Sequence, residues 1–151
     1  MAVRFQTSAA NYQSRSSDLL DYNSTYTWMA WCYLASDLDA NQVVFFIRNA
    51  DASQSDFVGT ITSGVDLVAA VNGGAGSTQA TWTVGQTRHV CLRRSSSSSL
   101  DLIVDGVLIG SDTTAAGTSR TLTAMESGSA LSGALARWDG HKFAEKAWSA
   151  S

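Results

Sequence analysis

Only two glutamates occur in the 151 residues, Glu126 and Glu145, and they fall in segments of different character. Retaining glycoside cleavage needs two carboxyl groups about 5 Å apart. One of these glutamates would therefore have to recruit an aspartate such as Asp101 or Asp105. The two histidines give no stronger lead. His89 stands inside an alternating apolar segment and His141 follows the turn dipeptide Asp139-Gly140. Neither sits in a nucleophile-elbow context, so a Ser/His/Asp arrangement has no support and both read as structural. Asp37, Asp39, Asn41 and Asp51 gather in or near loops and offer the hard oxygen ligands that Ca²⁺ takes, but without the spacing of an EF-hand. Solvation in turns is the ordinary reason for such aspartates. Gly73-Gly74-Ala75-Gly76 is followed by no lysine and opens no helix, so it reads as a turn and not a phosphate cradle. The aromatic residues remain. Trp31, Tyr33, Trp82 and Trp138 could stack on sugar C–H faces or pack a core, and Arg93-Arg94 reads as a solvated hairpin end able to meet an acidic partner.

Strands must position these groups. Apolar and polar residues alternate with period two in one segment after another, and no stretch carries a convincing amphipathic helix; 143–148 is the one candidate for even a single turn. The pattern predicts about twelve strands, eleven of them over 2–7, 26–35, 42–49, 56–62, 65–72, 77–83, 87–94, 100–104, 107–109, 131–138 and 142–148. In 26–35, Trp28, Ala30, Cys32 and Leu34 share one face and Met29, Trp31 and Tyr33 the other, and both faces look covered. Asp105-Gly106 between two apolar runs is the clearest hairpin signal. The serine run 95–99 reads as a linker. Proline is absent, so exposed strand edges rely on charge, bulges or closure for protection. Many short strands at regular spacing indicate one all-β domain over 1–151, a two-sheet antiparallel sandwich or jelly roll.

The order of motifs resembles the concanavalin A-like lectin/glucanase superfamily, in particular laminin G-like domains of bacterial or phage type. Val3-Arg4-Phe5 with Asn11-Tyr12 is similar to its opening strand and turn, and Tyr26-Thr27-Trp28-Met29-Ala30-Trp31-Cys32 to its aromatic strand. Trp82, the run Arg88-His89-Val90-Cys91-Leu92 and the run ending Val104-Asp105-Gly106 resemble its most specific signature. Residues 131–138 with Ala147-Trp148-Ser149 resemble its closing segment. Cys91 stands where that family usually has a small alanine, and Ile103 where it has an aromatic residue. The resemblance implies a concanavalin A-like jelly roll. It also implies Ca²⁺ on a rim in some members, here through Asp37, Asp39 and Asp51. The spaced-carboxylate strand motif of the family's glucanases, Glu-x-Asp-x-x-Glu, has no counterpart in this chain.

Composition narrows the partners. With a net charge of −3 there is no basic excess to neutralise phosphates, which argues against nucleic acid. The apolar runs are too short for a membrane-spanning helix. The first twenty residues show no apolar signal core, so the chain is expected to be made in the cytoplasm, with a virion surface as one destination. Cys32 and Cys91 allow one bridge, but with no export signal two buried thiols are the plainer reading. Two functions remain: a non-catalytic recognition or display module holding a glycan or protein through loops at one end of the sandwich, and a structural protein of a viral assembly, a capsid decoration or tail-fibre module that binds capsid or tail proteins or its own copies. Glycoside hydrolysis is a remote third. No cofactor other than Ca²⁺ is suggested.

Overall fold

A computed structural model describes residues 2–5, 13–15, 25–35, 42–49, 53–61, 66–71, 78–113, 124–128, 138 and 140–149. Among these, twelve strands form two six-stranded antiparallel sheets. The first sheet runs in the order β1 (Ala2–Phe5), β12 (Gly140–Ser149), β3 (Tyr26–Leu34), β8 (Thr87–Ser96), β9 (Ser99–Val104), β10 (Val107–Asp112). The second runs β2 (Gln13–Arg15), β11 (Ala124–Ser127), β4 (Gln42–Arg48), β5 (Ser55–Ile61), β6 (Asp66–Val71), β7 (Thr78–Thr81). The expected all-β, two-sheet antiparallel sandwich is the observed one.

The period-two pattern explains how the sheets face each other. Along β3, Tyr26, Trp28, Ala30, Cys32 and Leu34 are buried in the core, whereas Thr27, Met29, Trp31 and Tyr33 keep solvent contact. On β8, Val90 and Leu92 enter the same core, as do Leu100, Leu102 and Val104 of β9. The second sheet contributes Val44, Phe45, Ile47, Val58, Leu67, Ala69 and Val71. Trp28 of one sheet stacks on Phe45 of the other with ring centroids 4.5 Å apart. β4 and β6 are buried along nearly their whole length, as their unbroken apolar runs require.

Two polar networks cross this core and tie the sheets together. Arg94 of β8 points inward and makes a two-pronged ion pair with Asp56 of β5, its Nε at 2.7 Å and Nη2 at 2.5 Å from the two carboxylate oxygens. The Tyr26 hydroxyl donates to the same carboxylate at 2.6 Å. In the second network Lys142 of β12 donates to the Val44 carbonyl and, at 2.7 Å, to the Ser127 hydroxyl. Ser127 donates in turn to Glu145 at 2.8 Å, and Glu145 also accepts the Trp28 indole N–H at 2.8 Å. A bulge in β12 between Phe143 and Lys146, with Ala144 at φ 52°, brings this carboxylate within reach of Ser127 and Trp28.

Several expectations are corrected. The serine run 95–99 is no linker: Ser96 ends β8, Ser99 begins β9, and a tight turn between them is closed by the Ser98 amide donating to the Ser96 hydroxyl. The strand expected over 142–148 is present, within Gly140–Ser149, with no helical turn in it. β2 and β11 lie where the alternation is too short to read, only three and four residues. The outer face of β3 is not covered, since Trp31 is 42% exposed. The strand expected over 131–138 falls outside the described residues apart from Trp138, which is not in a strand. The two cysteines are free: Cys32 faces the core, and Cys91, opposite Met29, faces the other side of the same sheet, a direction from which no bridge can form.

Candidate functional site

The outer face of the first sheet carries the exposed chemistry, and strand register sets it out in rows. One row crosses β12, β3 and β8 as Phe143, Trp31 and His89. Trp31 lies parallel to Phe143, interplanar angle 4° and centroids 6.4 Å apart, and meets the His89 ring edge-on at 5.2 Å. The next row holds His141, Tyr33 and Thr87, with Tyr33 and His141 rings 5.7 Å apart. On the other side come Lys146, Met29, Cys91 and Ile103, then Trp148, Thr27, Arg93 and Asp101. Because neighbouring strands are about 4.8 Å apart, Phe143, Trp31 and His89 make an aromatic strip about 10 Å wide. Trp31 and Trp148, 42% and 44% exposed, present the largest open ring faces.

Arg93 and Asp101 form a fixed ion pair on this face. Arg93 meets Asp101 at 2.8–2.9 Å, and Ser99 and Ser111 donate to the other carboxylate oxygen at 2.9 and 2.5 Å. Burial raises the Asp101 pKa, but the hydrogen bonds from Ser111, Arg93 and Ser99 outweigh it and hold the carboxyl below its usual range. At the hairpin, Asp105 and Gly106 both have positive φ, 52° and 81°, the geometry of a type I′ turn. The Asp105 carboxylate accepts the His89 amide at 2.9 Å, and the Asp105 amide donates to the His89 carbonyl, so the turn braces the strand that carries His89.

Of the expected ligand residues, Trp31, Tyr33 and Arg93 share this face. Three do not. Trp82 and Trp138 are buried against each other, ring centroids 5.2 Å apart, where no ligand can stack on them. Arg94 occupies the core in its pair with Asp56 and is not at a solvated hairpin end; strand alternation sends it to the side opposite Arg93. The face is also a sheet surface, whereas loops at one end of the sandwich were expected to bind. Phe143 and Met29 were not singled out from sequence as ligand residues, and His141 and His89 were read there as structural. Their common location depends on β12 lying between β1 and β3, a pairing of the chain's end with its beginning that local pattern does not reveal. Asp37, Asp39, Asn41 and Asp51 fall outside the described residues. Among the described residues no group of three or more His, Cys, Asp or Glu side chains converges as a metal site.

The two glutamates serve structural contacts. Glu126 is fully buried and pairs with Arg48 at 2.7 Å, and Glu145 is held by Trp28 and Ser127. Burial pushes the Cys32 thiol up to about 12 and the Lys142 ammonium below its ordinary range, the latter opposed by Glu145. Both groups sit in the core.

A family model described as the concanavalin A-like lectin/glucanases superfamily, of the laminin G type, matches residues 6–144. The chain belongs to that superfamily. Solved structures agree at the level of fold. Domains LG4-5 of the mouse laminin alpha1 chain superpose with a TM-score of 0.71, with 11% identity over 97% of this chain and 41% of their own. A heptameric SAP-like pentraxin from Limulus polyphemus gives 0.66 with 13% identity, covering 91% of this chain and 69% of its own. Trypanosoma rangeli sialidase gives 0.68 with 12% identity over 83% of this chain, which spans only about a fifth of that enzyme, 20%. A comparison with the curated proteins finds no match.

Proposed function

We propose that this laminin G-like domain is a non-catalytic recognition or display module that holds a glycan or a protein surface against the outer face of its first sheet. The observation that carries this reading is the row Phe143, Trp31 and His89, with Trp31 exposed and its ring parallel to Phe143. Flat, rigid ring faces on a sheet bind sugar C–H faces or apolar side chains with little loss of side-chain freedom. Tyr33, His141 and the Arg93–Asp101 pair add polar partners around the strip. The non-catalytic part rests on the glutamates, both committed to structural partners. The laminin and pentraxin neighbours fit a binding role, and the sialidase likeness concerns fold alone.

The assembly reading, a virion decoration or tail-fibre module, keeps one specific support. Val107, Leu108 and Ile109 on β10, an edge strand, are exposed, Val107 at 62%. Such an apolar edge favours contact with another chain.

A glycan array probed with the whole chain and with Trp31→Ala tests the main reading. Binding by the parent and its loss in Trp31→Ala, with unchanged thermal stability, supports it. Glycan binding equal in both sinks it. Light scattering on a size-exclusion column, with and without EDTA, separates the assembly reading and tests Ca²⁺ dependence: a stable trimer or larger species favours assembly, and a monomer indifferent to EDTA removes both.

A further inference from the structure

Next to the aromatic strip, three donor side chains from two strands stand side by side on the same face. His89 Nε2 lies 3.3 Å from Met29 Sδ. Cys91 is the cross-strand partner of Met29, which puts the Cβ atoms of the pair about 5 Å apart. Cys91 is also two residues from His89 along β8, so all three side chains leave the sheet on one side, away from Val90 and Leu92 in the core. The site is sheltered without being closed: Cys91 is 4% exposed, and Met29 and His89 are half-buried. The Trp31 ring meets His89 edge-on, and Asp105 anchors the His89 backbone, so the imidazole is held in place before any ion arrives.

We propose that Met29, His89 and Cys91 form a binding site for a soft monovalent cation, Cu(I) by its chemistry. Thioether, thiolate and imidazole together select Cu(I), whereas hard cations take oxygen and structural Zn²⁺ takes four ligands of the kind of which only two stand here. Charge points the same way. Binding releases the Cys91 thiol proton to solvent, and Cu(I) with one thiolate, a neutral imidazole and a thioether is a neutral complex. A neutral complex suits a sheltered position that has Ile103 on one side and the cation Lys146 on the other. A divalent ion would leave a net positive charge there. His89 and Cys91 alone escape notice as a metal pair because the third donor is a methionine, a residue shared with ordinary packing.

The test is an anaerobic titration of the whole chain against Cu(I) held by bicinchoninate with ascorbate present, and native mass spectrometry after addition of silver nitrate in chloride-free buffer. One ion per chain is expected, removed by Cys91→Ser. Met29→Leu and His89→Gln should each weaken binding by roughly tenfold or more, since even residues that only orient a ligand are worth about 10–100-fold. Cys32→Ser, in the core, should bind as the parent does. Near-ultraviolet circular dichroism checks that each variant is folded. Failure to compete with bicinchoninate overturns the proposal, as does binding that follows Cys91 alone and ignores Met29 and His89. Either failure leaves the glycan-array result untouched, so the two readings stand or fall separately.

Discussion

Removing the Arg94 guanidinium while leaving Asp56 in place should destabilise the domain severely. Arg94 side-chain exposure is 2% and that of Asp56 is 0%, so the substitution Arg94→Met takes the guanidinium counter-charge from a carboxylate in the core. Burial opposes the charge on Arg94, but the hydrogen bonds and charge of Asp56 more than offset that and raise its pKa, so the guanidinium stays charged in the core. Breaking such a pair from one side costs about 3–5 kcal/mol. In a domain of this size each kcal/mol moves Tm by roughly 2–4 °C, which makes the expected fall on the order of 10 °C. Replacing both partners, Arg94→Met with Asp56→Leu, removes the carboxylate as well and should recover most of the loss, because well-packed apolar substitutes for a buried pair are often neutral or better. The Tyr26 hydroxyl then loses its acceptor, so a residual cost of about 1–3 kcal/mol is expected, and adding Tyr26→Phe should reduce it. Urea unfolding followed by tryptophan fluorescence supplies the double-mutant cycle. A loss under about 1 kcal/mol for Arg94→Met, or a double variant no better than the single one, would refute the assignment of an ionised inter-sheet clamp.

Three further outcomes are accessible to the same unfolding assay. Gly140→Ala should destabilise markedly, since a Cβ there would overlap the Tyr33 carbonyl oxygen and lie 2.7 Å from the Trp138 indole nitrogen; an unchanged midpoint would mean that β12 does not pair with β3 this closely. Gly106→Ala, at φ 81° with open space around it, should cost roughly 1–2 kcal/mol through backbone strain alone, and a larger loss would point to a lost contact. Asp101, held below its unfolded pKa, contributes stability that is present above the unfolded value near 4 and is lost as pH falls through the lower folded value. Asp101→Asn should therefore flatten the acid side of a stability–pH profile, and identical profiles for parent and variant would contradict the depressed pKa.

How much of this was legible from the chain depends on the range of the interactions. Period-two alternation in 26–35 placed Trp28, Ala30, Cys32 and Leu34 together on one face, because alternation is a local property of an extended backbone, but it did not tell that this face alone would be covered. Asp105-Gly106 located its hairpin for a similar reason: a type I′ turn needs two positive φ values in adjacent residues. The order of short motifs identified the superfamily.

Which of those strands would be neighbours was not in the pattern. Trp82 and Trp138 carry the same side chain as Trp31, yet they pack on each other in the core while Trp31 stays open; residue type sets the affinity for burial, and position in the sandwich decides whether it is met. Adjacent Arg93 and Arg94 part in the same way, one to an exposed pair with Asp101 and one to a buried pair with Asp56 thirty-eight residues away. The all-β chain, its alternating faces and the Asp105-Gly106 turn follow from backbone geometry over a few residues and are readable in the residue order. That β12 lies beside β3, and with it the meeting of Phe143, Trp31 and His89, is readable only in the fold, because pairing between distant strands is set by how the two sheets close over one shared core.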